Sequence, residues 1–134
     1  MGNVFLATGT VLVFVASLVH LLFFFMESVY WRRPEVWRRF GVQSQEQAEL
    51  IKPMAFNQGF YNLFLAIGGG VGLMLIGTAD WTQGGIVLCL FVTASMLAAA
   101  LVLVASSRKF LLAAIVQGLP PLLAIVFLVL ALNA

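Results

Sequence analysis

Apolar residues run almost unbroken through four stretches of the chain, roughly 4–30, 54–77, 84–105 and 110–132. A helix needs about 20 mostly apolar residues, at about 1.5 Å rise each, to cross a bilayer. Every stretch is long enough. None alternates apolar with polar residues as a barrel strand must, and lipid does not tolerate open backbone. A long polar segment, 31–53, and two short ones, 78–83 and 106–109, connect the stretches. Short connections force neighbouring helices to pack side by side. The pattern predicts an all-α polytopic membrane protein: a single domain over 1–134, built as an antiparallel four-transmembrane-helix bundle with a longer first loop.

Composition points the same way. Of 134 residues, 63% are hydrophobic and 9% charged, whereas a soluble domain carries about 25% charged residues. A soluble globular protein, a disordered tail, a nucleic-acid binder and a disulfide scaffold are excluded. Single Cys89, inside the third stretch, reads as a small packing residue. The first stretch holds no Lys or Arg and exceeds the about 7–15 apolar residues of a signal peptide, so a retained span is expected.

The charges set the orientation. Arg32, Arg33, Arg38, Arg39 and Lys52 lie in the first loop, Arg108 and Lys109 in the third, and Asp80 alone in the second. The positive-inside rule makes the basic side cytoplasmic, with both termini outside. Within the first loop, Trp31, Val36, Trp37 and Phe40 alternate with four arginines. This reads as an interfacial anchor that sets depth, with sensing of anionic lipid as the alternative. Ser44 and Gln47 resemble a capping box, so the second long helix begins near Gln45, and Pro53 bends it at membrane entry.

Polar residues inside the spans are the candidate chemistry. Glu27 is the one charged residue within a span, and an ionisable group at that depth is costly. Near the end of its helix it could instead snorkel to the headgroups and pair with Arg33 or Lys52. His20 precedes it by seven residues, which on an α-helix places the two on one face, ~10.5 Å apart, with Ser17 a turn further. In the second span, Asn57, Gln58, Tyr61 and Asn62 cover roughly 140° of one side, an arc shared with Gly68 and Gly72. Small residues mark close helix approach, so this arc is expected to face protein. The fourth span adds Gln117 and Gly118, and Pro120 and Pro121 predict a kink. Helices 1, 2 and 4 thus bring polar groups to the inner half of the bilayer, and a pocket open to the cytoplasmic leaflet accommodates them.

His20…Glu27…Trp31, the run Asn57-Gln58-Gly59-Phe60-Tyr61-Asn62, and Gln117-Gly118-Leu119-Pro120 resemble a bacterial family of small four-helix membrane proteins described only as a domain of unknown function. The match spans nearly the whole chain. Leu63 stands where that family often has glycine. The resemblance implies the four-helix fold, a bacterial inner membrane and the same polar residues. It implies no activity.

Three functions fit these residues. In the first, a pocket takes a small lipophilic ligand or membrane lipid. There Glu27 counters a cation or donates a proton, and His20 relays protons. Asn57, Gln58, Tyr61, Asn62 and Gln117 orient the ligand, and Trp31 closes the mouth. Isomerisation or proton transfer suits these groups. One histidine and one cysteine do not make an ordinary zinc site, so no metal and no cofactor are implied. In the second, the protein is an accessory or structural subunit whose polar network fixes helix packing. In the third, Glu27 is the switching carboxylate of a small cation or proton-coupled transporter, an arrangement that suits a homo-oligomer.

Overall fold

A computed structural model describes all 134 residues. It is about 90% helical and contains no strand. Helix α1 (Gly2–Phe24) passes into a π-helical turn, Phe25–Val29. A short helix α2 (Pro34–Trp37) follows, then the long α3 (Gln45–Ile76), α4 (Thr82–Ser106) and α5 (Leu111–Leu132). Four segments are long and apolar enough to cross a membrane: Gly2–Val29, Gln45–Ile76, Ala79–Ser106 and Arg108–Leu132. The protein is therefore a multi-pass helical membrane protein. "Exposed" below means uncovered by the rest of the chain, whether the medium is lipid or water.

The chain forms two compact units, with the divisions falling inside α1 and α3. Unit one comprises Met1–Val19 and Leu65–Ala134, so all four long helices contribute to it. Its core has two clusters. Val13, Cys89, Ala124 and Leu128 form one, and Ala16, Val92 and Met96 the other. Large side chains are few here because small ones let the helices approach, as lipid-embedded bundles require. A Cβ on Gly72 would run into the Cys89 Sγ, and one on Gly85 would meet the backbone of Gly72 and Ile76. Cys89 is thus buried packing, as its sequence context suggests. Thr93 satisfies its hydroxyl by donating back to the Cys89 carbonyl at 2.7 Å. Helix α5 remains unbroken through Pro120 and Pro121, and its buried line is Ala114, Gly118, Pro121, Ala124 and Leu128.

Unit two, His20–Phe64, contains the π turn, α2 and the first part of α3. The start of α3 is capped at both ends of a reciprocal pair. The Gln47 N–H donates to Ser44 Oγ at 3.1 Å, while the Gln43 N–H donates to the Gln47 side-chain oxygen at 3.1 Å. This is the capping box read from the sequence, displaced by one residue on its return bond. The first loop differs from its expected role. Its aromatic residues do not project as an anchor: Trp31 and Trp37 are buried with Val42, Ala48 and Ala55, and Phe40 and Ile51 pack on them. A short helical turn alternating aromatic and basic residues segregates them. The rings fold onto α3, and Arg32, Arg33, Arg38 and Arg39 stay exposed. Gly41, at φ 78°, supplies the left-handed residue that ends this turn.

Candidate functional site

Glu27 sits in the π turn. Such turns carry i→i+5 bonds, here from the Tyr30 N–H to the Phe25 carbonyl at 2.8 Å. The looser winding changes the helical phase between His20 and Glu27. Their seven-residue spacing is therefore not two regular α-helical turns, although both side chains are buried in the same unit. Glu27 is 8% exposed. Its Oε2 accepts a 2.7 Å hydrogen bond from Asn62 Nδ2, and the same amide donates to the Gln58 carbonyl at 3.3 Å. Neither Arg33 nor Lys52 pairs with it. The only ion pair in the chain joins Lys52 to Glu49, at 3.5 Å.

Three further contacts register the π turn, and Trp31 two residues beyond it, on α3. The Ser28 hydroxyl donates to the Phe56 carbonyl at 2.9 Å. Gly59 lies directly against Ser28, whose Oγ, Cβ and backbone nitrogen occupy the space a Cβ would need. The Trp31 indole N–H donates to the Ala48 carbonyl at 3.0 Å. The buried line of α3 in this unit is Ala48, Ala55, Gly59 and Asn62, all small except the one residue that meets Glu27.

These contacts leave a cleft of about 290 Å³, lined by Glu27, Trp31, Phe40, Ile51, Met54, Ala55 and Gln58. Trp31 and Phe40 form one wall, their rings tilted at 54° with centroids 5.4 Å apart. Glu27 and Gln58 are the polar members. The cleft is shallow and open on one side, and the rest of its lining is apolar.

The sequence-derived residues divide on this framework. Glu27, Trp31 and Gln58 line the cleft, and Asn62 holds Glu27 from behind. His20 is 1% exposed in the same unit, with its ring edge-on to Phe23 at 6.3 Å. Asn57 and Tyr61 do not join them. At 100° per residue Gln58 lies only about 40° from Asn62, whereas Tyr61 and Asn57 lie about 100° and 140° away. Both are exposed, Tyr61 by 58%. The expected arc facing protein is thus split: its Asn62 edge is covered and its Asn57 edge is open. Gln117 belongs to unit one, where it is half-buried on α5. Sequence reasoning did not single out Ser28, Ile51, Met54 or Ala55, and it named Phe40 only as part of the interfacial anchor. The signal for α3 was present, since Ala48, Ala55 and Asn62 recur every seven residues and mark one helix face.

Fold and site together define a small polytopic helical membrane protein with a buried carboxylate lining a cleft. The comparison with family models is more specific: residues 13–129 match the family described as protein of unknown function (DUF1304), and the chain belongs to that family. No curated protein and no solved structure matches it.

Proposed function

We propose that the protein binds a small lipophilic ligand in the cleft beside Glu27, reached from the membrane, with proton transfer or isomerisation as the chemistry open to that carboxylate. One observation carries this reading. A buried carboxylate, held by Asn62 and paired with no cation, lines a cleft whose other members, Gln58 apart, are apolar. An ionisable group within a span is costly and marks a functional site by default. Gln58 adds a second polar group to the lining, and Trp31 and Phe40 add aromatic walls. Buried His20, in the same unit, is the proton-relay candidate. The clustering of the basic residues on one side supports a cleft in the cytoplasmic leaflet, with both termini outside, under the positive-inside rule, and the family resemblance supports a bacterial inner membrane.

The test is a ligand screen by thermal shift on purified protein in lipid nanodiscs, repeated with Glu27→Gln and Gln58→Leu. Ligands that stabilise the wild type and lose that effect in both variants support the pocket. If no lipophilic compound shifts the wild type, and Glu27→Gln alters only stability, the accessory-subunit reading replaces it. Proteoliposome flux abolished by Glu27→Gln would replace it with the transporter.

A further inference from the structure

Resting on the pocket reading, we infer that the ligand class of the Glu27 cleft is a lipophilic monocation: a protonated or quaternary amine on a small apolar body. Two of the hydrogen-bond donors beside the cleft are engaged within the protein, and the Gln58 carboxamide, which both donates and accepts, is the neutral polar group that remains. The Trp31 N–H is held by the Ala48 carbonyl, and the Asn62 amide by Glu27 and the Gln58 carbonyl. Glu27 accepts through Oε2, and no protein donor reaches its other oxygen. No lysine or arginine neutralises it, since the chain's one ion pair lies between Lys52 and Glu49.

What the cleft offers is therefore the Glu27 carboxylate with one uncommitted oxygen, the neutral Gln58 carboxamide and two aromatic rings. A carboxylate in apolar surroundings is stabilised by an opposite charge brought to it. The faces of Trp and Phe are negative at the ring centre and attract cations, strongly when water is excluded. Trp31 and Phe40 stand together on one wall of the cleft that holds Glu27. An ammonium group thus meets the carboxylate and the aromatic pair in one cleft, while Ile51, Met54 and Ala55 receive the apolar body. A neutral hydrocarbon leaves the carboxylate uncompensated, and an anion is repelled by carboxylate and ring faces alike. The volume, about 290 Å³, restricts the bound part to a group of roughly single-ring size.

The experiment uses the full chain in nanodiscs of zwitterionic lipid and three probes of nearly equal shape, measured by titration calorimetry against empty nanodiscs. The probes are N,N-dimethylphenethylamine, its neutral carbon isostere isopentylbenzene, and the anion phenylpropionate. The expected order is amine over isostere by about tenfold or more in Kd, with no binding of the anion. Glu27→Gln should bring the amine-to-isostere ratio to about one by removing amine affinity. Phe40→Leu, which keeps the carboxylate, should reduce the ratio several-fold and guards against a poorly folded Glu27 variant. Equal binding of amine and isostere, or a ratio that neither substitution changes, overturns the cationic ligand class and leaves the pocket standing. Binding of none of the three by the wild type overturns both.

Discussion

The Asn62 amide donates a 2.7 Å hydrogen bond to Oε2 of Glu27, joining the π turn after α1 to α3 across 35 positions of sequence. Each is 8% exposed, so the bond is shielded by surrounding protein. Removing the donor leaves a buried carboxyl oxygen without a partner. Asn62→Ala should lower stability by about 1–3 kcal/mol, with Asn62→Gln intermediate, measured by denaturation in mild detergent. A double-mutant cycle of Glu27→Gln with Asn62→Ala should return a coupling of about 1–2 kcal/mol. Additive effects would mean that the two side chains act independently.

Gly59 should resist substitution although it lies inside a helix. Replacing a helical glycine with alanine ordinarily stabilises by about 1 kcal/mol. Here the new methyl group meets Ser28 at its hydroxyl, Cβ and backbone nitrogen, so Gly59→Ala should instead destabilise by about 1–3 kcal/mol. Adding Ser28→Ala removes the hydroxyl contact but not the other two. It should restore part of the loss, and complete restoration would contradict the described approach of the π turn to α3.

The two buried tryptophans of the first loop should respond differently to loss of the indole N–H. Trp31 donates to the Ala48 carbonyl, whereas the Trp37 Nε1 is buried with no partner. Both substitutions to phenylalanine remove similar volume. Trp31→Phe should therefore cost about 1 kcal/mol more than Trp37→Phe, because only the former breaks a buried hydrogen bond. Paired melting curves of the two variants decide it.

Orientation is checked by single-cysteine labelling in a Cys89→Ala background. Cysteines at Gln45 and Ser107 should be blocked by an impermeant thiol reagent only after the cytoplasmic face is opened. Those at Asp80 and Asn133 should react from outside in intact cells. The reverse pattern would invert the proposed topology and move the cleft to the outer leaflet.

Four spans were legible in the sequence because spanning is a local property, in which about 20 apolar residues in a row suffice whatever surrounds them. The start of α3 was legible for the same reason, since Ser44 and Gln47 cap a helix with bonds made within four residues. Glu27 announced itself as an ionisable group in an apolar run. What could not be read was which of Asn57, Gln58, Tyr61 and Asn62 would meet it. That choice depends on the rotation of α3 about its own axis, and small buried residues at Ala48, Ala55 and Gly59 set that rotation through contacts with distant parts of the chain. The π turn was equally hidden. Phe25 to Val29 carries no residue that forbids an ordinary α-helix, so the wider turn is a tertiary outcome, held by Ser28 on Phe56 and Asn62 on Glu27. Hydropathy along the chain determined that this protein crosses a membrane four times and holds one acid within a span. Only packing, which adds many weak contacts between remote segments, decided which side chains that acid faces.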